Sequence, residues 1–122
     1  MEKSRKKELQ QQYSEMKHPM GLFIIRCKLN NKCYIQATND LRGVMNGAAV
    51  RLAGGRHPYK ELQGEWTEFG PDNFTVEILE QLKYDEKDPD KSDYSEELAL
   101  LQMIWEEKLK GEKLEFYQKR LL

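Results

Sequence analysis

The stretch GLFIIRCKLNNKCYIQATNDL, residues 21–41, decides how this chain is read. It holds two short apolar runs around an Asn-Asn pair, and the second closes in Tyr-Ile-Gln ahead of a helix cap. The first run, 22–29, predicts a strand that is apolar on both faces at its start and needs cover on both. Asn30-Asn31 predicts a tight turn, because Asn tolerates φ > 0 better than most residues. The second strand is predicted over 33–37. With this turn Lys28 faces Cys33, so Cys27 and Cys33 point to opposite faces of the hairpin and cannot be bridged.

Outward from the hairpin the pattern changes to helices. Thr38, Asn39 and Asp40 offer N-caps for a helix over 41–53, whose apolar positions Leu41, Val44, Met45, Ala48 and Leu52 share a face. Gly43 and Gly47 weaken it by about 1 kcal/mol each relative to Ala, and Gly54-Gly55 stops it. Pro58 predicts the first residue of a second helix with a buried stripe of Tyr59, Leu62, Trp66 and Phe69. After the GPDN break, FTVEILEQL alternates and predicts a third strand with Phe74, Val76 and Ile78 inward. An acidic loop, KYDEKDPDKSD, leads to a long helix from about Tyr94 with Leu98, Leu101, Trp105 and Leu109 on one face. Gly111 interrupts it, and EKLEFYQKRLL reads as a short terminal helix or a frayed end.

At the other end, residues 2–17 read as a polar helix with a narrow stripe of Leu9, Tyr13 and Met16, closed by His18-Pro19. The expected organisation is an N-terminal helix over 1–18 followed by one domain over 19–122. Its class is α+β: a small three-stranded antiparallel or mixed sheet flanked by helices, with neither repeats nor linkers.

Composition narrows the function classes. A chain of 122 residues with 39% hydrophobic and 34% charged residues suits one small domain. No window approaches the ~18 apolar residues of a membrane span, and the polar start MEKSRKKELQ is unlike a signal peptide. A cytoplasmic location with free thiols is therefore expected. Two Cys and two His give no metal-ligand spacing. The net charge of −1 conceals a division: residues 1–60 hold 12 Lys/Arg against 4 Asp/Glu, and residues 61–122 hold 8 against 17. A basic half permits an anionic partner such as DNA or RNA.

The order of elements and the wording of several pieces resemble the GIY-YIG nuclease family, in particular its small stand-alone bacterial members. GLF at 21–23 matches the Gly-Ile-Tyr motif, and YIQ at 34–36 matches Tyr-Ile-Gly. TNDL at 38–41, RLAGGRHPYKELQGEW at 51–66, FGPDNFTVEIL at 69–79 and LLQMIWEEKL at 100–109 follow in the family's order. The resemblance covers about residues 20–109. It implies an α+β nuclease fold in which two tyrosines, an arginine, a glutamate and one divalent cation cut a phosphodiester bond.

Carried onto this chain, that set is largely replaced. The first tyrosine falls on Phe23 and the second on Tyr34, which is retained. The arginine falls on Val44, the histidine four residues later on Ala48, the motif glycine on Gln36 and the metal-holding glutamate on Gln102. Phe23 and Tyr34 are an odd number of residues apart, which places both on one sheet face. Val44 lies in its helix's apolar stripe and reads as core.

Gln102 shares a face with Leu98, Leu101 and Trp105, so it either lines the remnant cleft or bonds a backbone group. Glu106, one turn on, is the candidate substitute carboxylate. Arg26, Arg42, Arg51 and Arg56 are candidate substitute arginines. Arg51, Arg56, His57 and Lys60, with Tyr59 interleaved, form the densest basic cluster and a candidate phosphate-binding strip, against the plainer reading of a solvated loop. Lys3, Arg5, Lys6 and Lys7 read as a solvated helix face.

The leading expectation is a catalytically degenerate domain of this family that keeps DNA or RNA binding and needs no cofactor. The alternatives are an active divergent endonuclease using Mg²⁺ or Mn²⁺, and a protein-interaction module that uses the acidic second half.

Overall fold

A computed structural model describes residues 18–117. In chain order they form β1 (Met20–Cys27), β2 (Lys32–Thr38), α1 (Leu41–Ala53), α2 (Lys60–Phe69), a 3₁₀ turn (Pro71–Asn73), β3 (Phe74–Leu82), α3 (Ser95–Gly111) and β4 (Glu115–Phe116). The helix expected over 2–17 lies outside the described residues. The sheet runs β3-β1-β2-β4, with β1 antiparallel to both neighbours and β4 parallel to β2. It has four strands where three were expected.

The hairpin register differs from the tight turn read in the sequence. Arg26, not Lys28, pairs with Cys33, so the turn spans 28–31. Two bonds hold it, one to a distant turn and one within it. The Lys28 N–H donates to the Asn73 carbonyl at 2.8 Å, and the Asn30 side chain accepts from the Lys32 N–H at 3.2 Å. Asn31 takes the left-handed conformation, φ 59. A shift of two residues preserves every side chain's face. Cys27 accordingly packs with Phe23, Ile25 and Tyr34, and Cys33 packs with Leu22, Ile24 and Ile35 on the other side.

Those two sets define three layers. Leu41, Ala48 and Leu52 of α1 and Leu62 of α2 cover the Phe23 face, while Leu101 and Leu109 of α3 cover the Leu22 face. Each fully buried Leu, Ile or Phe contributes roughly 1.5–3 kcal/mol, so the doubly covered β1 is the thermodynamic centre of the fold. α1 has the predicted bounds. Asp40 caps it, accepting from the Gly43 N–H at 3.1 Å.

β3 departs from simple alternation. Leu22 pairs with Glu80 but Phe23 pairs with Ile78, so Leu79 is bulged. Phe74 and Val76 lie on the Phe23 face as expected, whereas Ile78 is left 42% exposed. Beyond the bulge the faces exchange, and Leu82 joins Met20, Tyr94 and Leu98 under α3. Gly21 sits at this point with φ +153, and a β-carbon there would collide with the Glu80 carbonyl oxygen.

The chain's last described segment is a strand rather than a helix. After a turn at Lys113, φ 65, the Glu115 N–H donates to the Asn31 carbonyl at 3.1 Å and the Tyr117 N–H to the Cys33 carbonyl at 2.8 Å. Leu114 and Phe116 pack on the Leu22 side and Tyr117 on the Phe23 side. This alternation is that of a strand. The start of α2 is also later than expected: Pro58 precedes the helix and Tyr59 is its cap.

Candidate functional site

Tyr34 projects from β2 onto the face covered by α1 and α2, and it is the hub of an aromatic cluster. Its ring lies 5.3 Å from His57, edge to face, 5.0 Å from Tyr59 and 6.5 Å from Phe23. The Tyr34 hydroxyl donates to Gln36 Oε1 at 2.9 Å. Gln36, at the position that the resemblance gives to a glycine, thus accepts the phenol's hydrogen bond. Burial pushes the hydroxyl up to about 12, the neighbouring Tyr59 adds to the shift and the positive charge of Arg51 opposes it. At neutral pH the phenolate is therefore only roughly one part in 10⁵. At this pH the Tyr34 hydroxyl donates to Gln36 and its ring packs in the cluster.

His57 is 7% exposed. Its Nδ1 accepts from the Tyr59 N–H at 3.2 Å, which leaves the neutral ring's proton on Nε2. Burial and the charge of Arg51 both hold its pKa below the ordinary histidine value. The loop carrying it is fastened by Gln63, whose Oε1 accepts from the His57 N–H at 2.9 Å. The same side chain's Nε2 donates to the Leu52 carbonyl at 2.9 Å and to Thr67 Oγ1 at 3.2 Å. One glutamine thereby joins the end of α1, the loop and α2. Its joining role has no sequence signal, because its two partners outside α2 lie 6 and 11 residues away. Tyr59, expected in a buried stripe, is 40% exposed and forms the rim of the cluster.

The four candidate arginines separate. Arg51 is exposed at the end of α1, and its charge acts on both Tyr34 and His57. Arg56, His57 and Lys60 line a cleft with Gln63, Thr67 and Glu68 beside the cluster. Arg42 is exposed at the opposite end of α1. Arg26 pairs with Cys33 and lies on the α3 side of the sheet, away from Tyr34. There its charge partly offsets the burial that pushes the Cys33 thiol up to about 11.

Phe23 is fully buried, Ala48 is buried and Val44 packs against the same core. β4 pairs with the outer edge of β2 at Lys32 and Cys33. Gln102 covers that edge, accepting from the Ala37 N–H at 3.3 Å and donating to Glu106 Oε1 at 3.3 Å. Of its two sequence readings, the backbone bond is the one found. Glu106 is buried beside it.

Gln102 supplies no anionic ligand for a divalent cation. The side chain at the carboxylate position is a neutral amide engaged at both ends. Among the described residues no group of three or more His, Cys, Asp and Glu side chains converges.

No family model and no curated protein matches the sequence. Two solved structures share its fold. The catalytic domain of the homing endonuclease I-TevI superposes with a TM-score of 0.62 at 21% identity, over 82% of this chain and 99% of that one. The catalytic domain of intron endonuclease I-TevI in an alanine-substituted form gives 0.60 at 22% identity, over 80% and 90%. The fold is the GIY-YIG nuclease fold.

Within the GIY-YIG fold the two motif strands are β1 and β2, and Gly21 and Tyr34 stand in them as the resemblance implies. At this level of identity the similarity carries architecture. What the site does is a matter of its own residues.

Proposed function

We propose that this chain is a GIY-YIG-fold domain that binds DNA or RNA through the old cleft and does not cut it efficiently. The observation that carries the reading is the Tyr34–His57–Tyr59 cluster under the charge of Arg51. Next to it is a cleft lined by Arg56 and Lys60. An exposed ring beside cations suits contact with bases and phosphates. Chemistry is disfavoured by the same site: the retained tyrosine is protonated and donates to Gln36, Phe23 has no hydroxyl, and Gln102 is committed to the backbone. Removing one group that stabilises transition-state charge typically costs about 10²–10³ in rate, and the positions that the resemblance gives to the arginine and the glutamate hold Val44 and Gln102.

Fluorescence anisotropy with labelled single-stranded, duplex and branched DNA and with RNA tests this. Affinity should fall steeply with added salt. Arg51→Ala should weaken binding about 5- to 10-fold at low salt and reduce the salt slope by about 1. Absent or salt-insensitive binding overturns the reading and leaves a protein-interaction module.

A second reading, an active divergent endonuclease, is favoured by the retained Tyr34 hydroxyl beside the Arg51 charge. It requires plasmid nicking with Mg²⁺ or Mn²⁺ that disappears in Tyr34→Phe. Nicking that survives this change, or no nicking at all, sinks it.

A further inference from the structure

Away from the cluster, α3 presents an apolar stripe to solvent. Leu100, Met103 and Ile104 are 58%, 52% and 44% exposed, at the i, i+3, i+4 spacing of one helix face. The opposite face is the one that packs on the sheet through Leu98, Leu101, Trp105 and Leu109. None of the described residues covers the outer stripe, since all three side chains remain at least two-fifths accessible.

We propose that the stripe is the dimerisation surface for a second copy of this chain, with the two α3 helices antiparallel across a two-fold axis at Met103. The charges on the stripe argue for this occupant. Glu96 lies seven residues before Met103 and Lys110 seven residues after it, about 10.5 Å, or two helical turns, on either side. Seven residues return to the same face, so all three share the stripe. A two-fold axis at Met103 therefore sets Glu96 of each copy opposite Lys110 of the other and packs Leu100 and Ile104 around the centre. The surface is complementary to itself, which is the requirement of an isologous contact. A parallel pairing would instead stack Glu96 on Glu96 and Lys110 on Lys110. The proposal is independent of nucleic-acid binding, because the stripe and the Tyr34 cluster lie on opposite sides of the sheet.

Sedimentation equilibrium of the full chain, from micromolar to near-millimolar, reads it out. The expected species has twice the 14.5 kDa monomer mass. Met103→Glu should return it to the monomer mass, with circular dichroism unchanged because the residue is exposed. Glu96→Lys should weaken dimerisation by about tenfold or more, since it places like charges together. The double exchange Glu96→Lys with Lys110→Glu should restore it. A monomer at every concentration overturns the proposal and leaves the stripe to residues 1–17 or to a different protein. A dimer indifferent to Met103→Glu, or one that the double exchange fails to restore, overturns it equally.

Discussion

His57 shows how one residue's surroundings become a measurable property. Its ring is buried, its Nδ1 is taken by the Tyr59 N–H, and Arg51 stands near enough to oppose a second positive charge. The folded state therefore holds a neutral ring at a pH where the unfolded chain, with its ordinary value near 6.5, begins to bind a proton. Below that value the unfolded state carries more protons, so stability falls as pH drops. Thermal melts should lose stability from pH 7 to pH 5, and His57→Gln should make that loss shallower. Equal slopes in the two proteins would contradict the assignment.

Gln102 gives a second case. In Gln102→Glu the introduced carboxylate sits beside Glu106, so its pKa is raised in the folded state. The variant should then match the parent below the ordinary glutamate range and lose about 1–2 kcal/mol as pH rises through the raised value. Urea unfolding at pH 4 and pH 8 measures it.

Among the elements, the bulge in β3 has the widest consequences. One extra residue, Leu79, reverses the strand's faces and sends Leu82 to the α3 side. It also brings the Glu80 carbonyl against Gly21. Gly21→Ala combines a φ unfavourable for an L side chain with a backbone collision, and should cost about 2–4 kcal/mol with an unchanged denaturant slope. A loss under about 0.5 kcal/mol, the range of ordinary surface changes, would show that β3 shifts freely. β4 is short, yet its neighbour Tyr117 is 4% exposed and fills the Phe23 side of the core. Tyr117→Ala should cost about 3 kcal/mol, in the range of large buried aromatics.

At the scale of the whole molecule, the two charge classes that the sequence places in its halves are only partly sorted by the sheet. Arg51, Arg56 and Lys60 gather on the α1 and α2 side, while Glu96, Glu97, Glu106 and Glu107 belong to α3 on the other. The separation is incomplete, because Glu61 and Glu65 of α2 engage Lys32 on the hairpin. Among the described residues no helix is long and apolar enough to cross a membrane.

By itself the sequence determined the hairpin and the faces of its side chains, the bounds of α1 and the apolar faces of α1 and α3. Each depends on spacing along the chain, and period 2 or 3.6 survives a turn that is longer than expected. The pairing of Phe23 with Tyr34 on one face was legible for the same reason. The bulge at Leu79, the fourth strand, the exposure of Tyr59 and the company Tyr34 keeps have no such local signal. Those depend on contacts between residues far apart in the chain. The β4 strand needs the edge of β2, Gln102 needs the N–H of Ala37, and Arg51 acts on Tyr34 and His57 only because α1 and the following loop fold over β2. Local pattern specifies which face a side chain takes, whereas the identity of its neighbours is set by how the elements pack.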